Sequence, residues 1–492
     1  MKRSFFLISF IIIIITNVSA SYTVNNRCTK AWTLLMDFNF KDAKKLIAEE
    51  LSDNPNNYYA YYLDQNCDAY ALLMNSNEEM YENFLDNFYE RREIMDGKYE
   101  DSPYYLSCKS EMELQAGIFN ILHGDRLSGL RKAYSSYKNT YRNLEIHPDF
   151  KPSLKLDGFF NVAIDNLPPF VKWAVSAFGV KGDADYGNEL LFKNYSELKN
   201  EKGLNAEAAL FVILAAKLDK NPESVYEFTK NLDTSISELF VLKYFKANIA
   251  YRTSKNEEAL KQLSEINMND EHEGEILYDY MMGKILLRKL DYNAAHYLSR
   301  YINSAKKSEY IKEIHYKLAL YYLINNDLTK FKEYKELTKE LGGEINERDR
   351  EAVYDANLDY IPDAKLTKAK LLLQGGYIQE FESEIQSYEA VRNNNPFFDL
   401  EYNFLLARAA ELKGDTKTAL KHYVFVTDKG KDQDYYFASE ASLRCGLISE
   451  KEGEIEMAEI YYNQCLKLYD SDYYEYIEEK AKKGLKRISQ KK

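Results

Sequence analysis

SLRCGLISEKEGEIEMAEIYYNQCL, residues 442–466, is the stretch that decides the fold. Gly446 is followed twelve residues later by Ala458, then by Tyr462 and Cys465, with Glu452-Gly453-Glu454 between the halves. Apolar residues on both sides recur at steps of three and four, the period of a helix face. Two antiparallel helices approach closely only where a small residue on each faces the other. Larger residues one and two turns later then fill the space toward a neighbouring pair. The glycine of the link supplies the positive φ that ends a helix tightly. A hairpin of this kind cannot bury its apolar face alone, so copies must stack into a continuous core.

The same offsets recur upstream. In NFLLARAAELKGDTKTALKHYVFV, residues 403–426, Ala407 precedes Ala419, Tyr423 and Val426 across Lys413-Gly414-Asp415. Ala247, Ala259, Leu263 and Ile266 keep the spacing, and Gly283 with Ala295 keeps the small–small pair. Ala31, Ala43 and Ile47 repeat it near the start, with Pro55 closing that unit. These units resemble tetratricopeptide repeats, which run to about 34 residues and pair small residues across two helices. They fall near 24–57, 240–273, 276–309, 400–433 and 439–472. Two weaker units centre on Ala319 and Ala369, where Phe331 and Phe381 stand in place of a small residue. The expected fold is all-α, a tetratricopeptide-like helical-hairpin solenoid. It has an N-terminal helical region over 21–200, an array over 201–492 and a basic C-terminal end.

A length of 492 residues supports this organisation, because a single core seldom grows beyond about 250. Only 20 glycines and 9 prolines interrupt the chain, which favours helices. The net charge of −13 opposes non-specific binding to nucleic acid or to an anionic membrane surface. Lys480 to Lys492 depart from that balance, with seven basic residues and no acidic one. Lys2 and Arg3, an apolar run from Phe5 to Ile15 and the small-residue exit Val18-Ser19-Ala20 predict a signal peptide over 1–20 that is cleaved. The first cysteine, Cys28, stands too late for a lipoprotein signal. No later segment reaches about 18 apolar residues, so no transmembrane segment is expected after cleavage. Five cysteines are an odd number, so at least one stays free or pairs between chains.

Residues 156–191, LDGFFNVAIDNLPPFVKWAVSAFGVKGDADYGNELL, form a distinct passage. Pro168 and Pro169 suit a helix start, and Gly179 and Gly182 break that helix. The passage resembles the Iml-two-like (inclusion-body clearance) tetratricopeptide family. The matching residues are Gly158, Leu167-Pro168-Pro169, Phe178-Gly179-Val180, Gly182-Asp183 and Gly187. The resemblance implies a helical fold and, as an alternative function, lipid handling in a hydrophobic cavity lined by 159–180.

No residue set points to catalysis, a cofactor or a metal. In DADYGNE, residues 183–189, oxygen ligands alternate, but Gly187 and Glu189 miss the places a calcium loop needs. Asp183 and its neighbours read instead as a turn opening a helix. DEHEGE, residues 270–275, sets His272 among carboxylates without a second ligand segment. The six histidines form no H-E-x-x-H, and no G-x-S-x-G, Walker loop or G-x-G-x-x-G is present. Tyrosine is abundant, at 43 residues, and offers contact area with a hydroxyl. In tetratricopeptide proteins the first helix of each repeat lines a concave groove. That resemblance places Tyr244, Asn248, Tyr251, Arg252, Tyr280, Lys284, Arg288, Arg408 and Glu411 there as partner-binding residues. The function expected is an exported, periplasmic or secreted scaffold or adaptor for a protein or peptide partner. Capture of carbohydrate by a helical envelope protein is a further alternative, though only Trp32 and Trp173 could supply indole platforms.

Overall fold

A computed structural model describes residues 21–492 apart from 75–76, 168, 178, 202–203, 219–221, 233, 269–271, 306–309, 345, 393–394, 434–435, 469–474 and 491–492. The signal peptide expected over 1–20, together with Pro168, Phe178, Asp270 and Glu271, lies outside the described residues. What is described is all-α, a solenoid of helical hairpins. One isolated bridge, between Ser21 and Asn57, is the only extended pairing among the described residues. No helix there is long and apolar enough to cross a membrane.

The N-terminal region opens with the hairpin α1 (Asn26–Met36) and α2 (Phe40–Asp53). It continues through α3 (Tyr58–Met74), α4 (Glu78–Met95), α5 (Pro103–Leu122) and α6 (Arg126–Ile146). Then come α7 (Lys151–Asp165), α8 (Pro169–Ser176), α9 (Ala184–Leu198), α10 (Leu204–Leu218), α11 (Pro222–Lys230) and the single turn α12 (Thr234–Ser237). The array follows as α13 (Phe240–Arg252) with α14 (Asn256–Ser264), α15 (Glu275–Arg288) with α16 (Ala294–Ser304), and α17 (Ile311–Ile324) with α18 (Leu328–Glu340). A lone helix, α19 (Glu347–Asn357), precedes α20 (Ala364–Gly375) with α21 (Ile378–Glu389). The last elements are α22 (Pro396–Leu412) with α23 (Thr416–Gly430), α24 (Phe437–Lys451) with α25 (Ile455–Leu468), and α26 (Glu475–Ser489).

One turn geometry unites the hairpins. Seven residues after each small residue of the first helix stands a residue with left-handed backbone: Phe38, Ser254, Leu290, Asn326, Gly376, Gly414 and Gly453. The amide of Gly453 donates to the Glu450 carbonyl (3.2 Å) and that of Glu454 to Ser449 (2.8 Å). Asn326 to Leu323 (3.0 Å) and Asp327 to Tyr322 (2.9 Å) repeat the pattern, so both helix ends close in the same Schellman manner. Ala31, Ala43, Ala247, Ala259, Ala407, Ala419 and Ala458 are fully buried where the helices meet. A Cβ on Gly446 would come within 2.6 Å of the Tyr462 ring, so that site admits no side chain.

The units around Ala319 and Ala369 are full hairpins. Phe331 and Phe381 are buried in them, and the neighbouring helix makes room with Ala352 and Ala356 in one case and Ala409 in the other. The pairing of Gly283 with Ala295 needs a correction. Helix α16 starts late, at Ala294, and it is Ala294 that is fully buried while Ala295 is half-buried. Two further hairpins were hidden in the N-terminal region. Gly117, Gly124 and Gly129 carry the same offsets in α5 and α6, whose backbones meet so closely that a Cβ on Gly117 would lie 2.9 Å from the Gly129 carbonyl oxygen. Gly158 of α7 meets Gly187 of α9 in the same way, a Cβ on the latter lying 2.6 Å from the Gly158 oxygen. The Pro-Pro passage is therefore an ordinary hairpin whose turn carries an inserted helix, α8.

The array is not a straight ribbon. After α19 the chain folds back, so that α20 touches α15 and α17. Asn256 Nδ2 donates to Tyr377 Oη (2.9 Å), which donates in turn to Glu257 (2.7 Å). At the other end the Phe240 amide donates to Asp37 (3.0 Å) and the Phe38 and Phe240 rings lie 4.9 Å apart, seating the first hairpin on the array. The basic C-terminal segment is a capping helix: Ile477, Ala481 and Ile488 are buried, and Lys483 donates to Asn166 beside α8 (2.7 Å). All five cysteines are free thiols and buried. Burial pushes the Cys445 and Cys465 thiols up to about 12.

Candidate functional site

Where the array folds back, the first helices α13, α15 and α17 pack in succession and α17 meets α19, gathering a cluster of tyrosine and cationic side chains. Tyr280 Oη donates to Glu313 Oε2 (2.6 Å), and Lys284 Nζ reaches both Tyr280 Oη (2.7 Å) and Glu313 Oε1 (2.8 Å). The Arg288 guanidinium carbon lies over the Tyr251 ring, 3.4 Å from its centroid, and the group donates to the Tyr251 carbonyl. A cation over an aromatic face is held there by the ring's electrostatic attraction. Arg348, at the start of α19, pairs with Glu351 (2.8 Å) and keeps half its side chain exposed.

The groove assignment is corrected for four residues. Tyr244, Tyr251, Tyr280 and Lys284 are buried rather than presented to a partner. Successive first helices touch closely here, so these rings fill the space between them: Tyr244 stacks on Phe240 (6.3 Å) and Tyr280 packs on Tyr301 and Tyr310. Asn248, Arg252 and Arg288 are half-buried. Arg408 and Glu411 lie apart from the cluster, paired with each other in the α22 repeat, where Glu411 also accepts from Tyr423. Glu313, Lys317 and Arg348 were missed. The first two belong to a unit whose small-residue pattern is spoiled by Phe331, and the third sits on a helix outside the repeat.

Cations predominate around Glu313. Burial alone would raise the Glu313 carboxyl, yet Lys284, Lys317 and Arg348 hold it down at about 2. Burial and then Lys284 and Arg288 lower Lys317, and burial with Arg348 lowers both Arg252 and Arg288. Opposing its own burial, Tyr251 is drawn below its ordinary value by Arg288, Lys284 and Lys317. Farther along the array the sign reverses. Asp355, Glu401 and Glu440 gather about Lys370, and burial lifts Glu401 to about 6.

A second buried charge cluster lies in the N-terminal region. Lys155, 2% exposed, is clamped between Glu111 (2.8 Å) and Glu207 (2.6 Å), and Tyr62 donates to Glu111 (2.8 Å). Burial pushes Glu207 up to about 7, against the pull of Lys155. Every member has a partner.

The other singled-out residues have local roles. Asp183 caps α9, accepting from the Tyr186 amide (3.0 Å). His272 accepts from the Gly274 amide (3.0 Å) and packs on Phe240. Phe159 packs edge-on against Phe211 (5.4 Å), while Trp173 on α8 is 76% exposed. Among the described residues no group of three or more His, Cys, Asp or Glu could hold a metal ion.

No family model matches the chain, and no curated protein matches it. Solved structures similar to it include a human IFIT1 dimer with PPP-AAAA, at 13% identity over 93% of this chain and 95% of that one, TM-score 0.31. The APC/C hetero-tetramer Cut9-Hcn1 gives 13% identity over 94% and 93%, TM-score 0.28. Naa15/Naa10 bound to HypK-THB gives 13% identity over 93% and 78%, TM-score 0.21. These likenesses are too loose to carry an argument, and the fold rests on the repeated hairpins themselves.

Proposed function

We propose that this chain is an exported helical-repeat scaffold of the cell envelope that holds a segment of a partner protein against its first-helix face. The observation that supports this most is the set of half-buried polar side chains on successive first helices, Asn248, Arg252, Arg288 and Lys317, with the half-exposed Arg348 at the start of the neighbouring α19. A surface built of repeated helices offers such side chains at regular intervals to an extended or helical ligand. The positive n-region, apolar run and small-residue exit of residues 1–20 support export.

Affinity capture tests the reading directly. The full chain, tagged at its C-terminus, is cross-linked in an envelope fraction and its partners are identified by mass spectrometry. One dominant protein partner is expected, lost when Arg252→Glu and Lys317→Glu are combined. Recovery of only a stoichiometric lipid or glycan, or capture indifferent to the double variant, would overturn it. Alanine at Tyr244, Tyr251 and Tyr280 is a poor probe, because those rings hold successive repeats together.

A further inference from the structure

We propose that the turn end of the α5–α6 hairpin, with the short helix α8 beside it, rests on an anionic lipid surface. This face belongs to the N-terminal region and not to α13, α15 and α17, so the proposal goes beyond the partner-binding reading and does not rest on it.

Helix α6 is built inside out. Its buried residues are Gly129, Ser136, Thr140 and Asn143. The last two are satisfied within the fold: Thr140 shares a hydrogen bond with Ser110 of α5 (2.6 Å), and Asn143 donates to the Pro103 carbonyl (2.8 Å). Leu127 and Leu130 stand outside, 62% and 52% exposed, and Tyr134 is exposed with them. A surface helix ordinarily turns its apolar stripe to the core. Ile118 and Ile121 of α5 are exposed at the same end of the hairpin. A Cβ on Gly129 would come within 2.5 Å of Ile121 Cγ1, so Ile121 sits against the turn of α6 that carries Leu130.

Helix α8 flanks this end. Its Val175 and the preceding Leu167 pack with Leu114 of α5 and Tyr137 of α6 against Leu156, Phe160, Ile164 and Val180, while Trp173 stays exposed. Tyr134 and Leu130 precede Tyr137 by one and two turns, on the same edge of α6.

Charge selects the occupant. Helix α6 carries five cations, Arg126, Arg131, Lys132, Lys138 and Arg142, against Glu145 and the capping Asp125. Arg126, Arg131 and Arg142 are exposed and form no ion pair among the described residues. The acidic helix α4 meets α6 along another edge, where Lys132 donates to Tyr89 (3.0 Å). A second copy of this chain, docked symmetrically, would set these cations against their own images; an anionic surface complements them. Protruding leucine, isoleucine and tryptophan side chains enter the headgroup boundary of a bilayer, and arginine stems lie along it with their charge in water. The net charge of −13 repels an anionic surface from the rest of the chain, which orients the contact.

Co-sedimentation of the full chain with phosphatidylcholine vesicles, with and without equimolar phosphatidylglycerol, tests this. Binding to the anionic vesicles should be at least about tenfold tighter. Arg131→Glu, Lys138→Glu and Arg142→Glu combined, or Leu127→Ser with Leu130→Ser, should each weaken it at least about tenfold. Lys417→Glu, Lys421→Glu and Lys429→Glu make the same change in net charge on α23 and should leave binding unaltered. Every substituted side chain is exposed, and residues 1–20, common to all variants, cancel in the comparison. Of the two tryptophans Trp32 is buried, so a blue shift of emission on anionic vesicles reports Trp173 entering the lipid. Equal binding to both vesicles, affinity unaltered in both α6 variants, or an unshifted emission would overturn the proposal. Without vesicle binding, a dimer that the serine variant dissociates would give the face to a second copy. An acidic protein captured by the wild type and lost in the α6 glutamate variant would give it to that protein. Either result leaves the partner-binding reading of α13, α15 and α17 as it stands.

Discussion

Lys155 and Lys284 sit in two charge clusters of similar composition, tyrosine with glutamate and lysine, and the two clusters are finished differently. At Lys155 two carboxylates flank one ammonium, Tyr62 satisfies Glu111, and Lys155 is 2% exposed. At Lys284 one carboxylate, Glu313, is ion-paired to Lys284 and held down by Lys317 and Arg348 as well, while Arg252 and Lys317 make no hydrogen bond or ion pair among the described residues. A buried charge whose partners are all supplied by the chain belongs to the architecture. A cation kept near water among like charges, with its partner missing, belongs to an equilibrium that something outside the chain completes. Burial alone does not separate the two cases; completeness of pairing does.

The sharpest way to break the comparison is Lys155→Met. It leaves Glu111 and Glu207 facing each other without their cation, and removing one member of a buried ion pair costs about 3–5 kcal/mol. The loss should depend on pH. Glu207 already has a folded value raised to about 7 against 4.5, and a raised carboxyl favours the folded state when protonated. Its contribution is fully present below about 4.5 and is lost as pH rises through the folded value. Urea unfolding of the variant should therefore show a larger deficit at pH 8 than at pH 5. A deficit under about 1 kcal/mol at both would show that the N-terminal cluster is not closed in the sense argued.

Glu313→Gln comes next, with a loss of about 3 kcal/mol at neutral pH because Lys284 is left buried and unpaired. Here the sign is opposite. The folded carboxyl is held at about 2 against 4.5, so its stabilisation is present above 4.5 and disappears as pH falls through about 2. The gap between wild type and variant, followed by thermal melting, should narrow on acidification and not on alkalinisation. A gap that widens in acid would place the stabilising charge elsewhere in the cluster.

What the sequence disclosed and what it concealed follow the same physics. Gly446, Ala458, Ala407 and Ala419 announced their hairpins because close helix packing leaves no choice of residue there, and glycine marked the turns at 414 and 453. Phe38, Ser254, Leu290 and Asn326 make the same left-handed turn without glycine, at an intrinsic cost of about 1 kcal/mol that stacking offsets, so those turns carry no punctuation. Gly158 and Gly187 were legible as unusual residues but not as partners, because the insertion bearing α8 separates them. The cluster around Lys284 was half visible. Arg252 and Arg288 follow from repeat register, but the burial of Tyr244, Tyr251 and Tyr280 depends on how tightly first helices converge once α20 folds back, a contact between units far apart in the chain. Arg348 comes from a helix with no place in the repeat, so no periodicity could reach it.

Lys317→Met carries the smallest effect on stability and the finest test of the difference between the clusters. Lys317 has no hydrogen bond or ion pair among the described residues, and Lys284 and Arg288 press against its charge. Its methylenes still pack, and methionine preserves an unbranched apolar stem of similar length. Removing the ammonium relieves like-charge repulsion but takes one cation from Glu313, which keeps Lys284 at 2.8 Å. These opposed changes should leave the unfolding free energy within about 0.5 kcal/mol of wild type. Equilibrium denaturation measures it. A loss of about 2 kcal/mol or more, on the order of an unsatisfied buried charge, would make Lys317 a structural partner of Glu313, and the charges around Lys284 would then form a second closed cluster like that around Lys155.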